Sequence, residues 1–483
     1  MYTFYRARGS ALATQIGRMA EELTNMNPWW RHSAWADRDP DLRRANQINL
    51  GYRSPCLDHL EPGGLYILRG PRRVGKTVTI KQTIERLIDV GLPPRAIVRV
   101  AADTLHADDL RTIVQNIALP SVPADQPRWW FIDEITAIPD DWAAQLKWMR
   151  DNDPGFAAAT VVITGSNAAS LTAATGVLAG RRGVEHADRT LLPVGFRTFV
   201  RLMGADLPGS ERISLARLRE PSSRAAYDDL LPWLHDLVVM WETYILSGGF
   251  PVSVAAARNG DPVPESFLDD IFNVVFRDAF AQSNLSQSLT TALHERLMAS
   301  LATPANLTKI GQDLSLPFDT VARHVTYLCN AYLAWECPQK ADGSWTGRPR
   351  SQSKVYAIDP LLARLAHLHN PARTDIDPTV LTEQQVGMAL VRAGLDGGSA
   401  WGDDHRIFFQ RTPARNEIDF VSEELAGTAI EAKYTETGRW KREAATVDAS
   451  DYDGIMVTRN VLDVGLPGAW AVPAGVLAYL IDT

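Results

Sequence analysis

Apolar residues fall along this chain in short continuous runs that alternate with stretches of helical spacing. Leu65-Tyr66-Ile67-Leu68, Ala96-Ile97-Val98-Arg99-Val100, Trp129-Trp130-Phe131-Ile132 and Thr160-Val161-Val162-Ile163-Thr164 are strand-length and rich in β-branched or aromatic side chains. After the first of them, Val78, Ile80, Ile84, Leu87 and Ile88 mark one face of a helix that Gly91 and Pro93 close. Strands alternating with helices predict βαβ units around a buried parallel sheet. Ahead of this block, Leu12, Ile16, Met19 and Leu23 form an amphipathic lead-in to Asn27-Pro28-Trp29-Trp30 and Trp35. Those rings either stack on a base or nucleotide ring or pack on a neighbouring element, and the area each buries favours packing.

Beyond about residue 200 the pattern turns helical, with an apolar run from Trp233 to Leu246 stopped by Ser247-Gly248-Gly249-Phe250-Pro251, a structural turn. A helix marked by Leu293, Leu297 and Leu301 follows, then 307–314, a turn through Ser315-Leu316-Pro317, a helix over about 319–333 and an extended 335–338. Short helix, turn, longer helix and hairpin is the order of a winged helix-turn-helix. Its candidate DNA contacts are Arg323, His324, Arg348, Arg350 and Lys354. The last third predicts strands at 354–359, 407–409, 417–421 and 428–434, and a helix carrying Glu383 beside Val386 and Leu390.

Chemistry enters at Gly70-Pro71-Arg72-Arg73-Val74-Gly75-Lys76-Thr77, a G-x-x-x-x-G-K-T phosphate loop between strand and helix. Gly70, Arg73, Val74, Gly75, Lys76, Thr77 and Val78 are the candidate contacts to ATP: backbone N–H groups around the phosphates, Lys76 on the β/γ oxygens, the Thr77 hydroxyl on Mg²⁺. Asp133 and Glu134 end a strand at the edge where ligands of open α/β sheets bind. Asp133 suits Mg²⁺ through water, and Glu134 the polarising of the attacking water. Asn167, with Ser166 as second choice, is the sensor candidate on the next strand, and also a candidate helix cap. Arg181 and Arg182, on a Gly-flanked loop, can reach a transferring phosphoryl group in their own subunit or a neighbour's. Further on, a hairpin turning about Leu425 sets Asp419 opposite Glu431, with Lys433 on the same face. Facing carboxylates destabilise a sheet, so a hard divalent cation is the expected occupant.

Composition adds limits. The 483 residues allow two to four domains, and 45% hydrophobic with 22% charged is ordinary for a globular chain. A formal charge of −8 supplies no bulk attraction to nucleic acid or an anionic membrane. Three scattered cysteines suit a reducing cytoplasm. No apolar run approaches the ~20 residues of a membrane span, and no signal peptide is expected.

From about residue 27 the chain resembles prokaryotic ATPases that join an AAA-type P-loop domain to a winged helix and a carboxyl-terminal domain similar to PD-(D/E)xK nucleases. The match lies in the phosphate loop, Ile132-Asp133-Glu134, Thr164-Gly165-Ser166-Asn167, residues 178–181, 247–251 and 354–359, Glu417-Ile418-Asp419-Phe420 and Glu431-x-Lys433. Pro71 stiffens the loop and Ala432 replaces a larger apolar residue, departures that remove no functional group. The resemblance implies an α/β fold of five parts: an arm over 1–50, a P-loop ATPase core over 51–200, a helical lid over 201–290, a winged helix over 291–350 and a restriction-endonuclease-like domain over 351–483. It also implies a nuclease-type constellation of Glu383, Asp419, Glu431 and Lys433, the first three on metal. Two functions follow as expectations. In one, ATP hydrolysis gates a metal-dependent nuclease acting on DNA or RNA. In the other, a regulatory ATP switch binds DNA or a partner protein while the nuclease-like domain does no cutting. A second copy of the chain is a candidate partner in either.

Overall fold

The computed structural model describes residues 16–117, 128–138, 141–205, 207, 211–283, 285–396, 401, 406–412, 416–436, 440–465 and 468–482. The chain divides into two units, 1–71 with 75–191, and 72–74 with 192–483. In the first, the four apolar runs become strands β1 (Leu65–Arg69), β2 (Ile97–Ala101), β3 (Trp129–Asp133) and β4 (Thr160–Thr164), joined by a short β5 (Asp188–Thr190). All pair in parallel in the order β2-β3-β4-β1-β5. Every residue of β1, β3 and β4 is buried, which explains why these strands read as unbroken apolar runs rather than as alternation.

The arm belongs to this unit. Asn27 imitates a neighbouring strand at the exposed edge of β2: its Oδ1 accepts from Arg99 N at 2.6 Å and its Nδ2 donates to Arg99 O at 2.9 Å. Trp29 and Trp30 both donate ring N–H to Ile97 O, so the aromatic cluster packs on the sheet. Asp39 caps the helix Pro40–Gln47 with one oxygen and holds the buried Lys81 ammonium with the other at 2.7 Å, tying the arm to the helix that follows the phosphate loop. Leu12, the first residue of the lead-in pattern, lies outside the described residues.

The second unit opens with helices. Its Gly248-Gly249 turn is read as structural for a reason that the fold supplies. Gly248 has φ +75°, a side chain there would meet Asp359 Oδ1 at 2.1 Å, and Gly249 N donates to Asp359 Oδ2 at 2.7 Å. Helices Leu307–Leu314 and Phe318–Asn330 follow, joined by a tight turn in which Ser315 is left-handed. Strands β6 (Ala334–Cys337) and β7 (Lys354–Ala357) then pair antiparallel. The boundary expected at 350/351 falls inside this hairpin. A mixed sheet ends the chain: β8 (Phe408–Arg411), β9 (Glu417–Val421), β10 (Thr428–Ala432), β11 (Asp453–Thr458) and β12 (Trp470–Pro473), ordered β12-β11-β10-β9-β8, with the buried helix Ala474–Ile481 after it.

His324 does not face outward as a DNA contact. It is 2% exposed, on the inner side of its helix, with its ring 6.4 Å from that of His294. Arg323, one residue earlier, is exposed. Burial pushes His294 down to about 4 and His324 to about 3, with the neighbouring His294 lowering His324 further. The unfolded chain therefore takes up protons near pH 6.5 while the folded unit refuses them until about pH 4. The stability these neutral rings permit is full above pH 6.5 and falls as pH drops through that window, by up to ~1.4 kcal/mol per pH unit for each ring. Denaturant midpoints at pH 7 and pH 5 should differ less in His324→Leu than in the parent. An equal pH dependence would remove His324 from this account.

Candidate nucleotide site and a second carboxylate–lysine cluster

Strand β1 delivers the chain to Gly70, where φ is +144° and an added Cβ would lie 2.1 Å from Leu191 O, so only glycine can stand there. The loop turns through left-handed Arg73 and Gly75 and opens the helix Lys76–Asp89. Arg73 is exposed, Val74 buried, and Thr77 and Val78 half-buried. Lys76 is buried, its ammonium donating to Gly70 O at 2.8 Å and Pro71 O at 2.9 Å, which places it inside the curl of the loop.

Strand β4 lies between β1 and β3, so the loop, Asp133-Glu134 and Thr164-Gly165-Ser166 follow the carboxyl ends of three neighbouring strands. Thr164 links the acidic pair, donating its hydroxyl to Asp133 Oδ1 at 2.8 Å and accepting from Glu134 N at 2.9 Å. Arg99, on β2, donates to Asp133 Oδ2 at 2.7 Å. Glu134 is left-handed (φ +56°), and its Oε1 accepts from the Ser166 hydroxyl at 2.5 Å and from Ser166 N at 3.2 Å. Asn167 caps the helix Ala168–Val177, as expected of it beside the sensor role, accepting from Ser170 N at 3.0 Å. Of the two sensor candidates, Ser166 is the one that touches Glu134. The two loop arginines are both paired within the unit: Arg181 forks onto Asp151 at 2.7 and 3.0 Å, and Arg182 donates to Asp188 at 2.5 Å. Arg99 was not among the expected site residues. A lone cation in an otherwise apolar strand that pairs with the acidic strand was the available signal.

The Thr77 hydroxyl is an oxygen donor of the kind Mg²⁺ takes, and Asp133, whose two oxygens accept from Thr164 and Arg99, would reach that ion through water. Losing the Ser166 hydroxyl removes one hydrogen bond to a carboxylate, ~1.5 kcal/mol, so Ser166→Ala is expected to lower kcat for ATP about tenfold with KM unchanged. Asn167→Ala should cost helix stability and leave kcat close to the parent's. The reverse order of effects in steady-state kinetics would return the sensor role to Asn167.

The second unit holds the other expected constellation. The β9–β10 register pairs Val421 with Ala429 and Phe420 with Ile430, so Asp419 falls opposite Glu431 as the symmetric hairpin requires. Asp419 N donates to Glu431 Oε2 at 3.1 Å, Ala432 N to Asp419 Oδ2 at 3.0 Å, and Lys433 Nζ lies 2.6 Å from Glu431 Oε1. Glu383 joins them from the helix Pro378–Asp396. At the centre stands a residue expected only as a DNA contact, Lys354 of β7. Its fully buried ammonium lies 2.8 Å from Glu417 Oε1 and 2.9 Å from both Glu383 Oε1 and Asp419 Oδ1. The Tyr356 hydroxyl also donates to Glu383 Oε1 at 2.6 Å. Burial, then the charge of Asp419, raises both Glu383 and Glu431 above the usual carboxylate range. Burial alone would lower Lys354, but the carboxylates around it, Asp419 foremost, hold it well above its ordinary value. The expected metal ligands Glu383, Asp419 and Glu431 therefore face donors of the protein itself. Among the described residues no group of three or more His, Cys, Asp or Glu is arranged to hold a metal ion. As arranged, these residues do not fit one.

An AAA domain family matches residues 63–200, and a domain of unknown function matches residues 238–372. Together with the strand order and the phosphate loop, the first match makes this part of the chain a P-loop ATPase domain of the AAA type. No curated protein matches. Similar solved structures include the Walker-type ATPase of Pyrococcus abyssi (12% identity, 68% of this chain and 95% of that one, TM-score 0.38). Cdc6p from Pyrobaculum aerophilum aligns at 13% identity over 60% of this chain and 80% of its own, with a TM-score of 0.23. RuvB of Thermotoga maritima aligns at 13% over 61% and 88%, with a TM-score of 0.26. The class rests on the family match and the sheet, not on these alignments. No helix among the described residues is long and apolar enough to cross a membrane.

Proposed function

We propose that the chain is a Mg·ATP-hydrolysing switch whose second unit binds DNA or a partner protein and does not cut nucleic acid. The observation that carries the ATPase reading is the convergence of the Lys76 loop, Asp133 and the Ser166-held Glu134 at the carboxyl ends of β1, β3 and β4. On binding, the Lys76 ammonium exchanges the Gly70 and Pro71 carbonyls for the β/γ oxygens, and the N–H groups from Gly75 to Val78 meet the phosphates at the helix N-terminus. Thr77, and Asp133 through water, would hold Mg²⁺, which would neutralise phosphate charge. Arg99 holds the Asp133 carboxylate in place, and Ser166 keeps the Glu134 carboxylate facing the crevice, where it accepts the proton of the attacking water. A neighbouring copy can still supply Arg181, because its pair with Asp151 is at the surface and exposed pairs contribute little.

The helix-turn-helix with its hairpin is the proposed winged helix, and the mixed sheet with Glu383 is the proposed nuclease-like fold. Lys354 among the carboxylates favours a module that does not cut. Retention of Glu383, Asp419, Glu431 and Lys433 favours the alternative, a nuclease gated by ATP. The test is ATP hydrolysis with and without DNA, run beside cleavage of DNA and RNA in Mg²⁺ or Mn²⁺. Hydrolysis without cleavage is expected. Metal-dependent cleavage that Asp419→Ala abolishes would establish the gated nuclease instead.

A further inference from the structure

The cluster around Lys354 gathers four carboxylates, Glu383, Glu417, Asp419 and Glu431, against two ammonium groups, Lys354 and Lys433. An ammonium has three N–H donors and accepts nothing. Lys354 donates to Glu383 Oε1 and Asp419 Oδ1 at 2.9 Å, and Glu417 Oε1 pairs with its charge at 2.8 Å. We infer that the Lys354 ammonium is the resident cation of this site, taking the place that a divalent ion has between facing carboxylates, so that the unit closes around it without metal.

The Asp419 and Glu431 oxygens that a metal would use are already directed elsewhere. Asp419 has Lys354 on one oxygen and Ala432 N on the other, and Glu431 has Lys433 on one and Asp419 N on the other. The lysine has no easy way out. Its strand is paired residue for residue with β6, placing it opposite the buried Cys337, and its Nζ lies 5.7 Å from the centre of the Phe409 ring. A divalent ion entering the cluster would meet like charge and strand an ammonium in the interior, a penalty that its own ligation must first offset. The converse follows: with the ammonium gone, Glu383, Glu417 and Asp419 converge on a vacant point, and a hard cation becomes the natural occupant. The inference deepens the reading of the second unit as a module that does not cut, and is independent of the ATPase chemistry.

Mn²⁺ bound to the full chain without nucleotide can be counted by electron paramagnetic resonance, where any ion at the phosphate loop is common to all variants. The parent and Asp419→Asn should bind equally. Lys354→Met should bind one further Mn²⁺, lost again in Lys354→Met/Asp419→Asn, and Mn²⁺ should raise the Tm of Lys354→Met but not of the parent. Should Lys354→Met fold poorly, Lys354→Gln serves in its place, and recovery of circular dichroism on adding Mn²⁺ is the expected sign. Mn²⁺ bound to the parent but lost in Asp419→Asn overturns the inference, as does a folded Lys354 variant that gains no ion. Cleavage of DNA by a parent with no Asp419-dependent Mn²⁺ would instead sink the proposed function and leave this assignment standing.

Discussion

Glu134→Gln is expected to bind Mg·ATP as the parent does and to lose turnover by ~10²–10⁴-fold, the usual worth of a positioned general base. The substitution keeps the shape of the side chain and an oxygen for the Ser166 hydroxyl, so the left-handed turn and the Thr164 bond to residue 134 N should survive. What it removes is the group that takes a proton from water. Lys76→Ala should fail one step earlier, at binding, because it removes the ammonium held inside the curl of the loop, where the β/γ oxygens are expected. Equilibrium nucleotide binding beside steady-state hydrolysis separates the two. Parent-like turnover in Glu134→Gln would remove Glu134 from the chemistry, and parent-like binding in Lys76→Ala would remove the phosphate loop.

Asp482→Ala is the stability counterpart. Asp482, next to the last residue, is fully buried and forks onto Arg392, with Nε at 2.6 Å and Nη2 at 2.9 Å, while Phe196 N donates to its Oδ2 at 2.7 Å. Three stretches of the second unit, around 196, 392 and 482, thus meet on one carboxylate. Truncating it leaves a buried guanidinium without its counter-charge and a helix N-terminus without its acceptor, and removing one partner of a buried pair costs ~3–5 kcal/mol. A lower denaturant midpoint for that unit should follow, with part of the loss regained in Arg392→Met/Asp482→Ala, where no charge is stranded. An unchanged midpoint in the single variant would mean that the pair contributes no net stability.

Legibility followed the distance over which each feature is specified. The phosphate loop is a local object: eight consecutive residues with a strand before and a helix after, and glycines where the backbone leaves the range open to side chains. The fully buried strands announce themselves as apolar runs, and the register of Asp419 with Glu431 follows from a hairpin's symmetry about its turn. Strands β5, β11 and β12 went unread. β5 consists of Asp188-Arg189-Thr190 and carries no apolar signal, while β11 and β12 stand among glycines and short segments that periodicity does not separate.

The chain by itself determined that a P-loop domain and a carboxylate-bearing hairpin are present, because the residues that define each lie within one turn or one pair of adjoining elements. Only the tertiary structure decided what those carboxylates face. Arg99 reaches Asp133 across 34 residues, and Lys354 reaches Glu383 across 29 and Asp419 across 65. Spacing along the chain does not say which of these positions meet. They meet because burial of the apolar strands fixes the order of the sheets, and a cation carried inward on a buried strand must then find its counter-charges there.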